Sequence, residues 1–435
     1  MALAIRGDRL DRMPETSSAA SPDRPLAGIK VVDCTRVLSG PICSRMLADM
    51  GADVVKIEAP ESDILRSTPP IVGGFGSMFA QYNVGKRNVS IDLKHDEGPG
   101  LLAALIAEAD VLVENFRPGV LGRLGLAPET LRERHPELIL CSITGWGQDG
   151  PWASKPAYAP MVQAEAGTLA LSGRLKGDRP RGDIMQHADL YAGMMASQGI
   201  LAALFHRART GSGQHVDVAM GEALLYVNEH ASAEIAGYEG SQGFPTWEFE
   251  SFKLADGRFV HVMGLPESIF PLLAAMLPIP GALEDPRFAT LEARQAHRGE
   301  MMAVLDKALS TVPNHANLEK LLEGSPAIVV PVRTTKELAE SDWASERNAL
   351  TNAGPGLEVP TAPWRSRDLQ VGARNGAIAY RGEHNAAVLD EWLGRDADEC
   401  ARLKEQGILQ SSPTEPPTLE QAPRAAFRDE GSDSK

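Results

Sequence analysis

The chain has 435 residues, long enough for one large core or two domains, and its 43% hydrophobic and 23% charged residues are the balance of a soluble globular protein. A formal charge of −15 argues against non-specific binding to nucleic acid and against an anionic membrane surface. No run of eighteen apolar residues occurs, and Cys34, Cys43, Cys141 and Cys400 are scattered without metal-ligand spacing, so the expectation is a cytoplasmic protein with no membrane span and no metal site.

Residues 1–25 carry Arg6, Arg9 and Arg12 among acids and a Ser/Ala/Pro segment, and read as a flexible tail without the apolar centre of a secretion signal. Ile29–Cys34 reads as a strand, Pro41–Met50 as a helix just after Ser39-Gly40, and Ala52–Ile57 as a second strand, a unit that implies a parallel pair. Ser39-Gly40-Pro41 is not the GxGxxG fingerprint, so no dinucleotide is inferred. Gly85–Lys94 holds a short strand among Lys86, Arg87 and Lys94, and Glu97–Ala109 is an amphipathic helix. Strand Val111–Glu114 leads into the turn Asn115-Phe116-Arg117-Pro118-Gly119, with Arg123 on the next helix. Ligands of open parallel sheets lie outside the carboxyl ends of the strands. The basic residues Lys86, Arg87, Lys94, Arg117 and Arg123 would therefore suit a phosphorylated ligand, the bland alternative being solvated surface charge.

Helix Glu129–Arg134, strand Leu138–Ile143, a glycine-rich loop Thr144–Pro151 read as turns, and a helix within Ala157–Gly173 follow, with Tyr158 just before that helix. From Leu190 to Arg209 there is no proline, and Leu190, Met194, Met195, Ile200, Leu201, Leu204 and Phe205 have the spacing of a mostly buried helix. Gly211 and Gly213 end it, and Gln214–Met220 alternates as a short strand. Asp189 thus sits at a helix mouth. Local pattern favours a capping role worth about 1 kcal/mol; the other reading is a carboxylate nucleophile whose intermediates are steadied by helix N-terminal amides.

Beyond Met220 the pattern gives a helix over Glu222–Ile235, a hairpin over Phe249–Met263 around Asp256-Gly257, helices near Glu267–Met276, Met301–Leu309 and Ala316–Leu322, and a strand at Ile328–Val332. Thr335–Arg347 reads as a helix, and Arg381-Gly382-Glu383-His384-Asn385 opens a closing helix to Trp392. The expected fold class is α/β: a large domain with a parallel, Rossmann-like sheet lacking GxGxxG over 26–221 and again over 333–410, and a smaller α+β domain over 222–332. Residues 411–435, rich in proline and charge, read as a disordered tail.

Six motifs in order carry a resemblance: GIKVVDCTRVLSGPICSRMLADMGADVVKIE, NVGKRNVSIDLK, VENFRPGVLGRLG, ITGWGQDGP, ADLYAGMMASQGILAALFHRARTGSGQHVDVAM and RGEHNAAVL. Spanning Leu26 to Leu389, they resemble the class III CoA-transferases, the group of formyl-CoA transferase, carnitine CoA-transferase and the α-methylacyl-CoA racemases. The resemblance implies a six-stranded parallel sheet, a small domain and an interlocked homodimer in which each chain threads the other. It places the family's catalytic aspartate on Asp189, which turns the reading there to nucleophile. CoA contacts fall on Val37 and Leu38, on Ile91 to Lys94, on Asn115, Phe116 and Arg117, on Arg123 and on Tyr158. Arg123 is the best phosphate contact, since a guanidinium fork matches phosphate geometry. Ala59 stands where formyl-CoA transferase has a basic residue.

The implied activity moves CoA from an acyl-CoA to a carboxylic acid through an aspartyl anhydride and an aspartyl-CoA thioester, with acyl-CoA and acid as substrates and no permanently bound cofactor. The rivals are racemisation of an acyl-CoA, which needs two acid/base groups, and CoA transfer between the two carboxyls of one dicarboxylic acid. The racemase histidine–aspartate pair is replaced here by Ala157-Tyr158-Ala159-Pro160, and His187 is at most a stand-in base. Leu38 replaces a glutamine of formyl-CoA transferase, which favours a larger or less polar acid, or a dicarboxylate of the succinate or mesaconate kind, over an oxalate/formyl-CoA pair. The family's glycine-rich lid corresponds to Val262–Pro266, where Gly264 is the single glycine.

Overall fold

The structure is a computed structural model that describes residues 23–176, 179–237, 250–354, 356–373 and 376–412. Apart from residues 23–25 and 411–412, both expected tails lie outside the described residues, as does Phe249 at the start of the expected hairpin. Two compact units result, Met1–Ser232 with Asn348–Lys435, and Ala233–Arg347.

The larger unit is built on six strands: β1 (Lys30–Asp33), β2 (Asp53–Glu58), β3 (Arg87–Ser90), β4 (Val111–Glu114), β5 (Ile139–Thr144) and β6 (His215–Ala219). They pair in the order β3-β2-β1-β4-β5-β6, and every pairing is parallel. Runs such as Val-Leu-Val-Glu and Ile-Leu-Cys-Ser-Ile-Thr are buried at every position, which is the signature of a sheet covered on both faces. One face carries Val31, Val111, Val113, Ile139 and Cys141 against α1 (Ser39–Asp49) and α2 (His187–Thr210). The other carries Val32, Leu112 and Leu140 against Leu102, Leu121, Leu131, Leu389 and Trp392. The chain leaves β1 over the first face and β4 over the second, so a crevice opens at their carboxyl ends, the switch point of an open α/β sheet.

By length and composition α2 is apolar enough to cross a membrane. Its inner stripe of Ala188, Ala192, Gly193, Ala196, Ile200 and Ala203 is instead buried against α1 and the sheet. A Cβ on Gly193 would lie 2.5 Å from the Ser39 carbonyl oxygen and 2.9 Å from the Ile42 Cβ, so only glycine lets the two helices approach this closely.

Three expected helices are broken. Ala157–Gly173 divides into Ala159–Glu165 and Thr168–Lys176 at Gly167, whose φ of 86° a helix cannot contain. Glu222–Ile235 divides into α3 (Met220–Val227) and Ala231–Ile235, because Asn228 Oδ1 accepts the His230 N–H at 3.0 Å and closes an Asx turn. Thr335–Arg347 divides at Ser341, whose hydroxyl caps Asp342–Glu346 by accepting the Ala344 N–H at 3.2 Å. The helices Ser77–Asn83 and Ala397–Glu405 and the hairpin Leu350–Gly354 with Leu357–Pro360 add to the expected elements.

The smaller unit has its own core of Phe252, Val260, Phe270, Phe288, Met301 and Leu305. Strands Glu250–Lys253, Phe259–Val262 and Val329–Pro331 form an antiparallel sheet with Phe259–Val262 in the centre, packed with helices Pro266–Met276 and Arg298–Leu309. This unit begins at Ala233, later than the expected Glu222, because Met220, Ala223 and Leu224 of α3 are buried in the same cluster as α2.

Candidate active site

The turn after β1 is the base of the site. Val37 has φ 66°, a left-handed conformation that a β-branched residue adopts only when its surroundings impose it. Those surroundings are the side chains of two other loops. Asn115, just past β4, accepts the Arg36 N–H at 3.0 Å and donates back to the Arg36 carbonyl at 2.8 Å. Asp63 accepts the Val37 N–H at 3.2 Å. Behind the turn lies a buried charge network. Asp33 accepts from Ser44 at 2.6 Å, from Lys86 Nζ at 3.0 Å and from the Thr35 hydroxyl. Lys56 Nζ donates to the Thr35 carbonyl at 2.7 Å and pairs with Asp63 at 3.3 Å. Glu58 grips Arg66 bidentately at 2.7 and 2.8 Å and accepts Asn88 Nδ2 at 2.6 Å.

Asp189 is the third residue of α2, and Gln186 occupies the cap position without a side-chain cap bond. The capping reading of Asp189 is thereby corrected: its carboxylate takes no part in closing its own helix and is directed to Ser39, the first residue of α1. Burial pushes Asp189 up to about 6, while hydrogen bonds from the Ser39 hydroxyl and the Ser39 N–H pull it down. Among the described residues no Lys or Arg forms a salt bridge with it. Tyr82, on Ser77–Asn83, is held above its ordinary value by burial first and by the Asp189 charge second.

The other candidate residues divide by exposure. Arg117 and Arg123 are exposed beside Asn115 and Phe116, and Tyr158 is 44% exposed at the start of Ala159–Glu165. Lys94 is exposed and pairs with Glu61 at 3.0 Å. Val37 is half-buried, whereas Leu38 and Ile91, 7% and 0% exposed, turn their side chains into the core and leave only backbone for a ligand. Two of the five basic residues expected near the strand ends are committed elsewhere. Lys86 is buried on Asp33, Ser44, Asn83 and the Pro41 carbonyl, and Arg87 pairs with Asp53 and Glu391. His187 opens α2, half-exposed, with its ring stacked on Tyr191 and 3.8 Å from Asp183. Gly264 lies in the smaller unit with φ 114°. An open cavity of about 560 Å³ is lined by Trp146, Trp152, Gly221, Glu222 and Leu225, and Asp189 is not in its wall.

This arrangement, a desolvated carboxylate without a cationic partner among the described residues, near a strained turn at a sheet switch point, accompanies a clear kinship. Residues 26–385 match CoA-transferase family III. The chain belongs to that family. It is 36% identical over 385 residues to a succinate–glutarate CoA-transferase of Agrobacterium fabrum, covering 84% of this chain and 95% of the relative. It is 34% identical over 392 residues to an acetyl-CoA:oxalate CoA-transferase of Acetobacter aceti, covering 88% of this chain and all of the relative. A crystal structure of a CAIB/BAIF family protein from Brucella suis superposes with a TM-score of 0.76 at 31% identity, over 85% of this chain and 100% of that one. Family membership makes the protein a CoA-transferase.

Three residues that sequence reasoning did not single out stand at the site: Ser39, Asp63 and Tyr82. Ser39 lies inside the first motif, but its nearness to Asp189 comes from the packing of α1 against α2 at Gly193, which no local pattern reveals.

Proposed function

We propose that the protein transfers CoA between an acyl-CoA and a dicarboxylic acid with Asp189 as covalent nucleophile. The observation that carries this is the Asp189 carboxylate, pushed up to about 6 by burial, with hydrogen bonding from Ser39 and, among the described residues, no salt bridge to a cation. Such a group is ionised at neutral pH yet poorly solvated, which raises its nucleophilicity. A carboxylate oxygen attacks the acyl-CoA carbonyl carbon; the C–O bond forms, the C–S bond breaks, and CoA leaves as thiolate from a mixed anhydride. The thiolate then attacks the Asp189 carbonyl carbon, forming an aspartyl-CoA thioester and expelling the donor acid as carboxylate. The acceptor carboxylate reverses both steps, so no net proton is consumed. Arg123 and Arg117, exposed beside the Asn115 turn, are assigned to the phosphates of CoA, and Val37, Phe116, Lys94 and Tyr158 with the backbone of Leu38 and Ile91 to the rest of the molecule.

Dicarboxylic substrates are supported by the glutarate and oxalate named for the two relatives. The deciding experiment is intact-protein mass spectrometry after incubation with acetyl-CoA, succinyl-CoA or glutaryl-CoA. A hydroxylamine-labile adduct in the wild type and none in Asp189→Ala is the expected result. Exchange of the α-proton with deuterated water, without any adduct, would instead indicate racemisation.

We also infer a homodimer. Phe205 is 67% exposed on α2, and Leu225 and Tyr226 are 52% and 85% exposed on α3, an apolar surface that a lone subunit would leave wet. Light scattering after size exclusion should give twice the 46.6 kDa chain mass, and a monomer at micromolar concentration would refute the assembly.

A further inference from the structure

We propose that Asp63 is a positioning residue for acyl-CoA: paired with Lys56, it grips the turn after β1 in the form that leaves the Val37–Leu38 peptide as a hydrogen-bonding edge for the ligand. The proposal rests on the assignment of that turn to CoA above. Both peptide units that flank Arg36 are held on each side by side chains from other strands and loops. Around Thr35–Arg36, Lys56 Nζ donates to the Thr35 carbonyl at 2.7 Å and Asn115 Oδ1 accepts the Arg36 N–H at 3.0 Å. Around Arg36–Val37, Asn115 Nδ2 donates to the Arg36 carbonyl at 2.8 Å and Asp63 Oδ2 accepts the Val37 N–H at 3.2 Å. Farther on, the Leu38 carbonyl accepts the Ile42 N–H at 2.9 Å as α1 begins. Between these fixed points lies the Val37–Leu38 unit, and among the described residues nothing bonds its carbonyl or its N–H. Backbone polar groups at a half-buried position are seldom left without partners.

The left-handed φ of 66° at Val37 persists only where neighbours hold it. Asp63 is the side chain that reaches the N–H of Val37 itself, and it is fixed in turn. It is 4% exposed; its own N–H donates to Glu58 Oε1 at 3.0 Å, its Oδ1 accepts the Leu65 N–H at 3.1 Å, and its Oδ2 lies 3.3 Å from Lys56 Nζ. Relaxation of Val37 to an ordinary conformation would swing the peptide that follows and shrink the population competent to bind. CoA carries the complementary groups: N–H donors on its adenine and its amides, and acceptors on its amide carbonyls, purine ring and phosphates. The device acts on binding, so it belongs to Kd and KM more than to kcat.

The test is calorimetric titration with CoA, steady-state kinetics with succinyl-CoA as donor and glutarate as acceptor, and a thermal melt, for wild type, Asp63→Ala, Asp63→Asn, Val37→Gly and Asp63→Ala/Val37→Gly. Asp63→Ala should raise the CoA Kd and the KM for succinyl-CoA about tenfold, with kcat within about threefold of wild type. Asp63→Asn, which keeps an acceptor oxygen for the Val37 N–H, should recover most of the affinity. Glycine adopts the left-handed region without being held, so in the Val37→Gly background the loss of Asp63 should weaken binding no more than about twofold. Wild-type Kd and KM in a folded Asp63→Ala overturn the proposal, and so does a loss that Val37→Gly fails to reduce. Should Asp63→Ala fail to fold with Lys56 stranded, Lys56→Met/Asp63→Ala removes both partners of the buried pair and is judged in the same way, with and without Val37→Gly. Competition by adenosine 3′,5′-bisphosphate and by pantetheine locates the contact: the fragment weakened in Asp63→Ala is the part of CoA that meets the peptide, and weakening of neither overturns the proposal. A wild type that binds no CoA overturns the assignment of the turn beneath it, whereas CoA bound equally by wild type and Asp63→Ala overturns the role of Asp63 alone.

Discussion

Asp33 and Glu58 are 0% and 3% exposed, yet both are held below the ordinary carboxylate range, Glu58 at about 2; Asp189, less deeply buried, is pushed up to about 6. Burial opposes the charge in all three. The difference is pairing. Lys86 and Lys56 act on Asp33, and Arg66 grips Glu58, so charge and hydrogen bonds outweigh desolvation. Among the described residues Asp189 has only hydrogen bonding from Ser39 to set against burial, and desolvation wins. One region has become scaffold: its carboxylates are locked into a network that fixes the turn carrying Val37. The other keeps a carboxylate unneutralised, which is what a nucleophile requires.

The sharpest way to break this contrast is to exchange the roles. Asp189→Asn keeps shape and removes the nucleophile, and should lower kcat by at least about 1,000-fold while leaving the thermal melt at or above that of the wild type. Glu58→Ala should do the reverse. It strands Arg66, which is 3% exposed beneath the ring of Phe79, and the loss of one partner of a buried pair should cost about 3–5 kcal/mol. Denaturant titration measures that loss. Equal destabilisation by the two substitutions would show that pairing is not what separates the two regions.

Much of this was legible in the sequence, and the manner in which it was legible is instructive. The strands of the parallel sheet announced themselves because fully buried strands read as uninterrupted apolar runs, and Val111–Glu114 falls on the expected residues. The helix breaks at Asn228 and Ser341 are not legible in the pattern, because a side chain that bonds nearby backbone competes with the helix without changing the hydrophobic period. At the site, the residue types were visible and their partners were not. Lys86 and Arg87 sit beside each other in a basic cluster, but one is drawn into the core by Asp33 and the other pairs with Asp53 and Glu391, the last 304 residues away in the chain. Asp189 was recognisable as a helix-mouth carboxylate, while its partner Ser39 depends on a crossing of α1 and α2 that only Gly193 permits.

The comparison also has a pH signature, smaller in size and opposite in sign for the two regions. Glu58, lowered from 4.5 to about 2, contributes stability that is complete above pH 4.5 and is lost as the pH falls toward 2. Asp189, raised from 3.8 to about 6, binds a proton more readily folded than unfolded, so its ionisation lowers stability as the pH rises from about 4 to about 6. The melting temperatures of wild type and Asp189→Asn should therefore coincide below pH 4, and those of the variant should be higher by a few degrees above pH 6. In the same interval kcat/KM of the wild type should rise with an acid limb near 6, about tenfold per pH unit below it, because only the carboxylate attacks. The two curves are coupled: the proton whose loss creates the nucleophile is the proton whose loss costs stability. An acid limb near 4 with no stability gap would mean that Asp189 is solvated like an ordinary surface carboxylate, and the distinction between the two regions would then rest on position rather than on electrostatics.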